Sequence, residues 1–182
     1  MKICISIGHG KSARGGYDSG ATGGGYHEFR IARRIGFNIA EALKSYGCDV
    51  LLINYDADMY LTDRIAFVNR GDFDLAAEIH LNAGGGTGSE VYYKHSDSKG
   101  KKLAAGISAG IAKTFSLRDR GAKIKLNSAG NDYFGFVRSV KCRSLLIETV
   151  FIDSSSDRKN VETEAGQRLC GKAIAESIAA FY

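Results

Sequence analysis

The run SLLIETVF, residues 144–151, determines how the rest of the chain has to be arranged. Its length is that of a β-strand, and most of its side chains are apolar. Such a strand is buried on both faces, as the central strands of α/β sheets are. Its one carboxylate, Glu148, is costly there unless it is bound or protonated. We therefore predict a central strand and a functional role for Glu148, the alternative being an ion pair with Arg143 or Arg138.

Outward from this strand, short apolar runs alternate with segments of helical periodicity. Strands are predicted at residues 2–7, 49–55, 74–81, 88–95, 121–126 and 133–138, and helices at 28–46, 61–70, 97–118 and 160–181. The glycine turn NAGGGT, residues 82–87, favours antiparallel pairing of the two strands that flank it. The pattern predicts a single α/β domain over residues 1–182, with a twisted mixed sheet of about six strands and helices on both faces.

Composition limits the classes of function. With 182 residues, 44% of them hydrophobic, the chain can bury one core. No apolar run approaches the ~20 residues of a membrane-spanning helix, so we expect no transmembrane segment. Met1 and Lys2 lead directly into ICISIG without the features of a signal peptide, which predicts synthesis in the cytoplasm. The four scattered cysteines are expected to be free thiols. The net charge of +5 favours an anionic partner: nucleic acid, a membrane surface or an acidic polymer.

A glycine-rich segment, ISIGHGKSARGGYDSGATGGGYHE, follows the first predicted strand at residues 5–28. It contains Gly10-Lys11-Ser12, but a phosphate-binding loop would need its first glycine at position 5, where Ile5 stands. The later glycines lie too far past the strand for a dinucleotide fingerprint. Both nucleotide-binding interpretations are weak. The segment is better explained as a long loop that delivers polar side chains to one point.

Four polar residues lie where predicted elements meet loops or interrupt apolar strands: His9, Glu28, His80 and Glu148. Two histidines and two glutamates suit a catalytic zinc, which has three N/O ligands, an open position and a nearby base. Each residue also has a structural explanation. His9 could hydrogen-bond its own loop, His80 could be a satisfied strand-end histidine, and Glu28 could complement the dipole of the helix that it opens. Taken singly, none of them decides the question.

The same residues fall within an ordered set of motifs that covers essentially the whole chain. The set comprises Gly8-His9-Gly10, Asp18-Ser19-Gly20-Ala21, Glu28, Arg64 with Asn69, Ile79-His80-Leu81-Asn82-Ala83, Gly88-Ser89-Glu90-Val91-Tyr92-Tyr93, RGAKIK at 120–125 and LLIETVFID at 145–153. This order resembles the zinc-dependent N-acetylmuramoyl-L-alanine amidases, or amidase type 3. Within that family it is most similar to the catalytic domains of clostridial phage endolysins. Two positions depart from the family pattern, namely Lys11 in place of a glycine and Ser154 in place of an asparagine.

The resemblance implies a peptidoglycan hydrolase that cleaves the amide bond between N-acetylmuramic acid and L-alanine of the stem peptide. It implies that Zn²⁺ is held by His9, Glu28 and His80, with water as the fourth ligand. It implies that Glu148 is the general base and that Asn82 binds substrate. Peptidoglycan is then the substrate and anionic wall polymers a further partner, with no role for nucleic acid. An endolysin catalytic domain would be made in the cytoplasm and act on the cell wall after release.

Two other interpretations stay open at this point. A zinc-dependent wall peptidase or deacetylase would share the metal site and differ only in the bond that it hydrolyses. A non-catalytic wall-binding module would need neither zinc nor Glu148. The basic residues of the first predicted helix, Arg30, Arg33 and Arg34, either contact wall polymers or form a solvated helix face.

Overall fold

One mixed sheet forms the centre of the protein in a computed structural model that describes residues 1–182. The strands are β1 (Lys2–Ile7), β2 (Gly10–Lys11), β3 (Tyr17–Asp18), β4 (Thr22–Gly23), β5 (Tyr26–His27), β6 (Asp49–Ile53), β7 (Leu75–Asn82), β8 (Ser89–Tyr93), β9 (Asp119–Lys123) and β10 (Arg143–Phe151). Six of them pair in the order β6-β1-β7-β10-β8-β9. The pairs from β6 to β10 are parallel, β8 is antiparallel to β10, and β9 is parallel to β8.

Helices cover both faces of this sheet. They are α1 (Glu28–Ser45), α2 (Leu61–Arg70), α3 (Ser98–Phe115), α4 (Gly135–Ser139), α5 (Ser155–Arg158) and α6 (Glu164–Ala179). Helices α1, α3 and α6 enclose a core of 28 buried residues on one face, and α2 and α4 cover a cluster of seven on the other. The predicted fold class, an α/β domain with a six-stranded mixed sheet, is confirmed.

The side chains of β7 alternate between the larger core and the opposite face of the sheet, where its polar residues lie. Leu75 and Ala77 point into the larger core, whereas Ala76 belongs to the smaller cluster. Successive side chains on a strand point to opposite faces, so Glu78 and His80 share the face of Ala76. The polar side chains of β7 therefore emerge on the side that α2 and α4 cover only in part.

The predicted pairing of β7 with β8 is wrong, although the sheet is mixed as expected. Strand β10 lies between them, parallel to β7 and antiparallel to β8. Neighbouring strands are about 4.8 Å apart, so the connection has to span about 10 Å. Residues 83–88 can do this easily, because an extended residue covers roughly 3.3 Å. Strand β10 thus lies inside the sheet, where both its edges are paired and seven of its nine residues are buried.

The strand predicted at residues 133–138 is also wrong, because this segment contains helix α4. Phe134 and Phe136 occupy alternate positions, as apolar residues on one face of a strand do. Phe136 and Val137, however, are adjacent in sequence and both buried. Adjacent strand residues point to opposite faces, so a strand beside the sheet could not bury both against it. A short helix can.

Other predictions concern the cysteines and the membrane. All four cysteines are free thiols, with Cys4 and Cys170 buried. Burial raises the pKa of the Cys170 thiol to about 12, which keeps it protonated and unreactive. No helix in residues 1–182 combines the length and the apolar character that crossing a membrane requires.

Candidate active site

A glycine at the end of β1 allows the first loop to approach β7 closely. A Cβ atom at Gly8 would overlap the His80 ring, so a larger residue there would displace that ring. Gly20 plays the same part further along the loop, because a Cβ atom there would lie 2.6 Å from Glu28 Oε2. The glycines predicted to give a long wrapping loop therefore bring the loop against His9, Glu28 and His80.

The backbone of His9 is held in a conformation that non-glycine residues seldom adopt, with φ at 61°. Two side chains fix it there through the His9 carbonyl oxygen. Asn54 Nδ2 donates to it at 2.8 Å, and Arg64 Nη1 donates to it at 3.1 Å. Asn54 also donates to the Ile7 carbonyl oxygen at 2.7 Å. These bonds outside the loop therefore determine where the His9 imidazole points.

Three donor atoms converge at the carboxyl edge of the sheet. His9 Nε2 lies 3.2 Å from Glu28 Oε2, and His80 Nδ1 lies 2.9 Å from Glu28 Oε1. One nitrogen or oxygen from each of the three residues lies within 4.8 Å of the others. Two imidazoles and one carboxylate in this arrangement can hold a divalent metal ion at one point. The predicted ligand set is therefore brought together.

Glu28 begins α1 and is almost entirely buried, with 3% of its side chain exposed. Its Oε1 accepts from the Leu81 backbone N–H at 3.0 Å, and its Oε2 accepts from the Ala21 N–H at 2.8 Å. Burial opposes ionisation of this carboxyl, but the hydrogen bonds from His80 and His9 outweigh it. They hold the pKa of Glu28 well below its usual range, so it is a carboxylate ready to act as a ligand.

Each histidine places its other nitrogen against a second carboxylate. His9 Nδ1 lies 2.9 Å from Asp18 Oδ2, and His80 Nε2 lies 3.2 Å from Glu78 Oε2. Glu78 is buried and is paired with Arg64, whose Nε lies 3.0 Å from Glu78 Oε1. Carboxylates in these positions orient an imidazole ligand and raise its basicity. This arrangement supports the assignment of both histidines as metal ligands.

The sequence analysis missed Glu78, although the position of this residue in the sequence indicates that it lies on the same face as His80. It is a carboxylate in the apolar strand LAAEIHLN, two residues before His80, so both side chains point to the same face. The matching cation, Arg64, lies on a different element, and sequence spacing alone did not connect the two.

Exchanging Asp18 for asparagine is expected to weaken metal binding by about 10- to 100-fold, because the amide keeps the hydrogen bond but loses the charge. Competition with a chromophoric chelator measures this directly, independently of any activity. Asp72→Asn is the matched control, since Asp72 is exposed and precedes the start of β7, whereas His80 lies near the other end of that strand. Equal metal affinity in the Asp18→Asn variant and the native protein would contradict the orienting role.

Glu148 occupies the centre of the polar face of the sheet. In register it lies between His80 on β7 and Glu90 on β8. Its Oε2 atom is buried and has no hydrogen-bond partner. The alternative of an arginine partner does not hold, because Arg143 pairs with Asp97 and Arg138 donates to backbone carbonyl oxygens. A buried carboxylate oxygen without a partner is costly to a fold and characteristic of functional sites.

The surroundings of Glu148 shift its ionisation into the neutral range. Burial raises its pKa to about 7, and the negative charges of Glu28 and Glu90 add to this, whereas the charge of His80 opposes it. A carboxyl group with a pKa of about 7 can both accept and return a proton at neutral pH. Glu148 has the position and the ionisation behaviour that its predicted role requires.

The neighbouring strand carries a second buried carboxylate that the prediction did not include. Glu90 accepts hydrogen bonds from Arg120 Nε at 2.6 Å, from Asn82 Nδ2 at 2.8 Å and from the Tyr92 hydroxyl at 3.0 Å. These three donors hold the Glu90 carboxylate in place beside Glu148. Asn82, predicted to bind substrate, thus uses its amide nitrogen within the protein. Its substrate role stays a prediction.

A cavity of about 210 Å³ opens beside the three donor atoms, on the side of α2 and α4. His9, His80 and Glu78 are among its polar lining residues. Tyr60, Phe134 and Lys11 also line it. The arrangement leaves room for a substrate to reach the donor atoms from this side.

Fold and site together define an α/β protein with a two-histidine, one-carboxylate donor set and an unpaired carboxylate nearby, as in metal-dependent hydrolases. The chain belongs to the N-acetylmuramoyl-L-alanine amidase family, whose sequence profile matches residues 3–180. This agrees with the resemblance drawn from the motifs.

Individual relatives extend the comparison. The chain is 31% identical over 169 residues to the sporulation-specific N-acetylmuramoyl-L-alanine amidase of Bacillus subtilis (strain 168), covering 91% of this chain and 62% of that protein. Cwp6 from Clostridium difficile superimposes with a TM-score of 0.90 at 33% identity, covering 97% of this chain but 28% of Cwp6. The catalytic domain of CD27L endolysin, described as targeting Clostridia difficile, gives 0.77 at 28% identity, covering 98% of this chain and 96% of that domain.

Proposed function

We propose that this protein hydrolyses the amide bond between N-acetylmuramic acid and L-alanine in peptidoglycan. The observation that carries the proposal is the buried, unpartnered Oε2 of Glu148 next to the converging donor atoms of His9, Glu28 and His80. A metal ion with three protein ligands and a general base beside it can activate water for hydrolysis of a stable amide. The family supplies the identity of the bond.

The metal that we propose is Zn²⁺, with His9 Nε2, Glu28 and His80 Nδ1 as its ligands. Two nitrogen ligands and one oxygen ligand suit zinc better than Mg²⁺ or Ca²⁺, which prefer all-oxygen sites. When bound, zinc supplies Lewis acidity, which lowers the pKa of a coordinated water and polarises a carbonyl group. The carboxylates of Asp18 and Glu78 support this choice, because each hydrogen-bonds the outer nitrogen of a histidine.

Residues of the chain itself carry out proton transfer and restrict the access of water. The Oε2 atom of Glu148 takes a proton from the attacking water and returns it to the departing alanine nitrogen. Burial raises the pKa of Glu148, which favours holding the proton between the two transfers. Glu90, fixed by Arg120, disfavours a permanent charge on Glu148. The low exposure of Glu28 and His80 restricts bulk water on the inner side of the site.

For the biological role, we propose lysis of a bacterial cell wall as an endolysin catalytic domain. The similarity over 96% of the CD27L endolysin catalytic domain supports this proposal. In this role the protein is made in the cytoplasm of the host and reaches the wall on release.

We also propose that anionic wall polymers contact a groove on the outer side of α1. Arg30, Arg33 and Arg34 line this groove together with Tyr17. Arg33 lies over the Tyr55 ring at 4.8 Å, and its Nε has no hydrogen-bond partner. Only Arg34 pairs with a carboxylate, at 3.3 Å from Glu164. Guanidinium groups without a carboxylate partner can bind phosphate or carboxylate groups of a polymer.

Digestion of purified peptidoglycan identifies the bond that is cleaved. Amidase activity is expected to produce new N-terminal alanine without new reducing sugar ends, because the glycan strands stay intact. A peptidase would expose amino groups of other stem residues, and a deacetylase would release acetate. A wall-binding module would release nothing. Mass spectrometry that finds every stem peptide still attached to muramic acid would contradict the proposed function.

A further inference from the structure

The cavity beside the donor atoms has one cationic side chain without an ionic partner. Two non-histidine cations line it, Lys11 and Arg64. Arg64 is buried, pairs with Glu78 and donates to the carbonyl oxygens of His9 and Met59. Lys11 Nζ donates only to the carbonyl oxygen of Asp58, at 3.1 Å. A neutral carbonyl does not neutralise its charge, so Lys11 keeps the capacity to bind an anion.

The position of Lys11 is fixed by local structure. Strand β2 pairs with β3 in an antiparallel ladder, with Lys11 opposite Tyr17 and Gly10 opposite Asp18. This ladder follows His9 directly and connects it to Asp18, which orients the His9 ring. The backbone of Lys11 is therefore anchored two residues after His9, and the residue lines the cavity.

The rest of the lining is largely apolar or aromatic, as a peptide or sugar requires. Tyr60 and Leu61 come from the start of α2, and Phe134 and Phe136 come from the region of α4. The carboxylates of the cavity, Asp18 and Glu78, are already engaged with His9, His80 and Arg64. A ligand that fits this lining has an apolar body and one negative group that reaches Lys11.

The chemistry of the proposed substrate indicates where that negative group lies. The lactyl carboxyl of muramic acid is consumed in the scissile amide, and the sugar's remaining groups are hydroxyls and acetamido. Free carboxylates therefore lie on the peptide side of the bond. The second stem residue carries either a free α-carboxylate or a carboxamide, which are nearly equal in shape and differ in charge.

We propose that Lys11 binds a free carboxylate on the peptide side of the scissile amide and so selects stem peptides with an unamidated second residue. This inference rests on the proposed amidase function. A lysine gives a point charge at the end of a flexible stem, which discriminates charge more than shape. A hydrogen bond to a charged partner favours the carboxylate form by about 10-fold or more.

Two soluble muramoyl peptides that differ only at this group, carboxylate or carboxamide, test the inference with metal-loaded protein. The native protein is expected to show a kcat/KM ratio of about 10 in favour of the carboxylate. Lys11→Met is expected to bring this ratio close to one, mainly by raising KM for the carboxylate peptide. Lys11→Glu is expected to reverse the preference. Lys113→Met, which removes an exposed lysine of α3, is the matched control and keeps the native ratio.

The contrary results distinguish failure of the role of Lys11 from failure of the amidase proposal. Equal kcat/KM values for the two peptides in the native protein, or a preference that persists in Lys11→Met, would overturn the role of Lys11 and leave the amidase proposal intact. Failure to hydrolyse either peptide would count against the amidase proposal. Calorimetric binding of the two peptides would then decide the role of Lys11 by itself, since equal affinities would overturn it.

Discussion

Glu148→Gln is expected to lower kcat by at least about 10²-fold while leaving the fold and the metal content unchanged. Glutamine keeps the size of the side chain and one oxygen atom, but it cannot accept a proton at neutral pH. The native Oε2 has no hydrogen-bond partner, so the exchange breaks no bond at that atom. A steady-state assay on soluble muramoyl peptides gives kcat, and elemental analysis gives the metal content.

Glu41→Gln is the matched control, because Glu41 is exposed and paired only with Lys44 on the surface of α1. It is expected to have native kcat. Turnover of Glu148→Gln within a few-fold of native would show that another group is the base. Loss of metal together with activity would instead assign Glu148 to the ligand set.

The pH dependence of stability provides a second measurement on the same variant. The folded protein raises the pKa of Glu148 from 4.5 to about 7, so it binds this proton more tightly than the unfolded chain does. The stability from this group is full below pH 4.5 and is lost as pH rises through 7. Glutamine cannot ionise. In metal-free protein, Glu148→Gln is therefore expected to have a higher Tm than native protein at pH 8, with the difference vanishing near pH 4.

Loss of metal is the second large effect. A chelator is expected to abolish hydrolysis, and added Zn²⁺ is expected to restore it. His80→Ala removes one of three donors and leaves the buried carboxylates Glu28 and Glu78 without an imidazole between them. We expect the metal content to fall from about one per chain to near zero. Bound metal also stabilises the folded state, by about 2.7 kcal/mol at 100 times Kd, and this shift in Tm should disappear in the variant.

His95→Ala is the control that distinguishes loss of a metal ligand from loss of any histidine that pairs with a carboxylate. His95 also pairs with a carboxylate, Asp132 at 3.0 Å, but it lies outside the donor cluster and is about half exposed. Its variant is expected to bind one metal ion and show the same shift in Tm as native protein. Full metal content in His80→Ala would contradict the assignment of His80 as a ligand.

Much of the fold and of the candidate site follows from local sequence. The apolar run around Glu148 predicted a central strand, and β10 is central. The ordered motifs predicted that His9, Glu28 and His80 come together, and their donor atoms do. The strand prediction succeeded because burial is recorded in neighbouring residues. The ligand set was implied by the resemblance, which rests on motifs spread over the whole chain.

The remaining features depend on contacts between segments distant in sequence. Local alternation could not reveal α4, because the burial of Phe136 and Val137 together depends on what packs against them. Nor could it place β10 between β7 and β8, since that order depends on which strand gains most from being covered on every side. In each case the competing local pattern was real and the tertiary packing overrode it.

By itself, the sequence determined the alternation of strands and helices, the polar residues at the carboxyl edge of the sheet and the membership of an amidase family. Only the tertiary structure decided what those polar residues do to one another. It paired Arg64 with Glu78 behind His80, and it left Glu148 without the arginine partner that the sequence allowed. The reason is physical: charge pairing and desolvation depend on distances of a few ångströms between side chains, and residues far apart in sequence acquire those distances only when the chain folds.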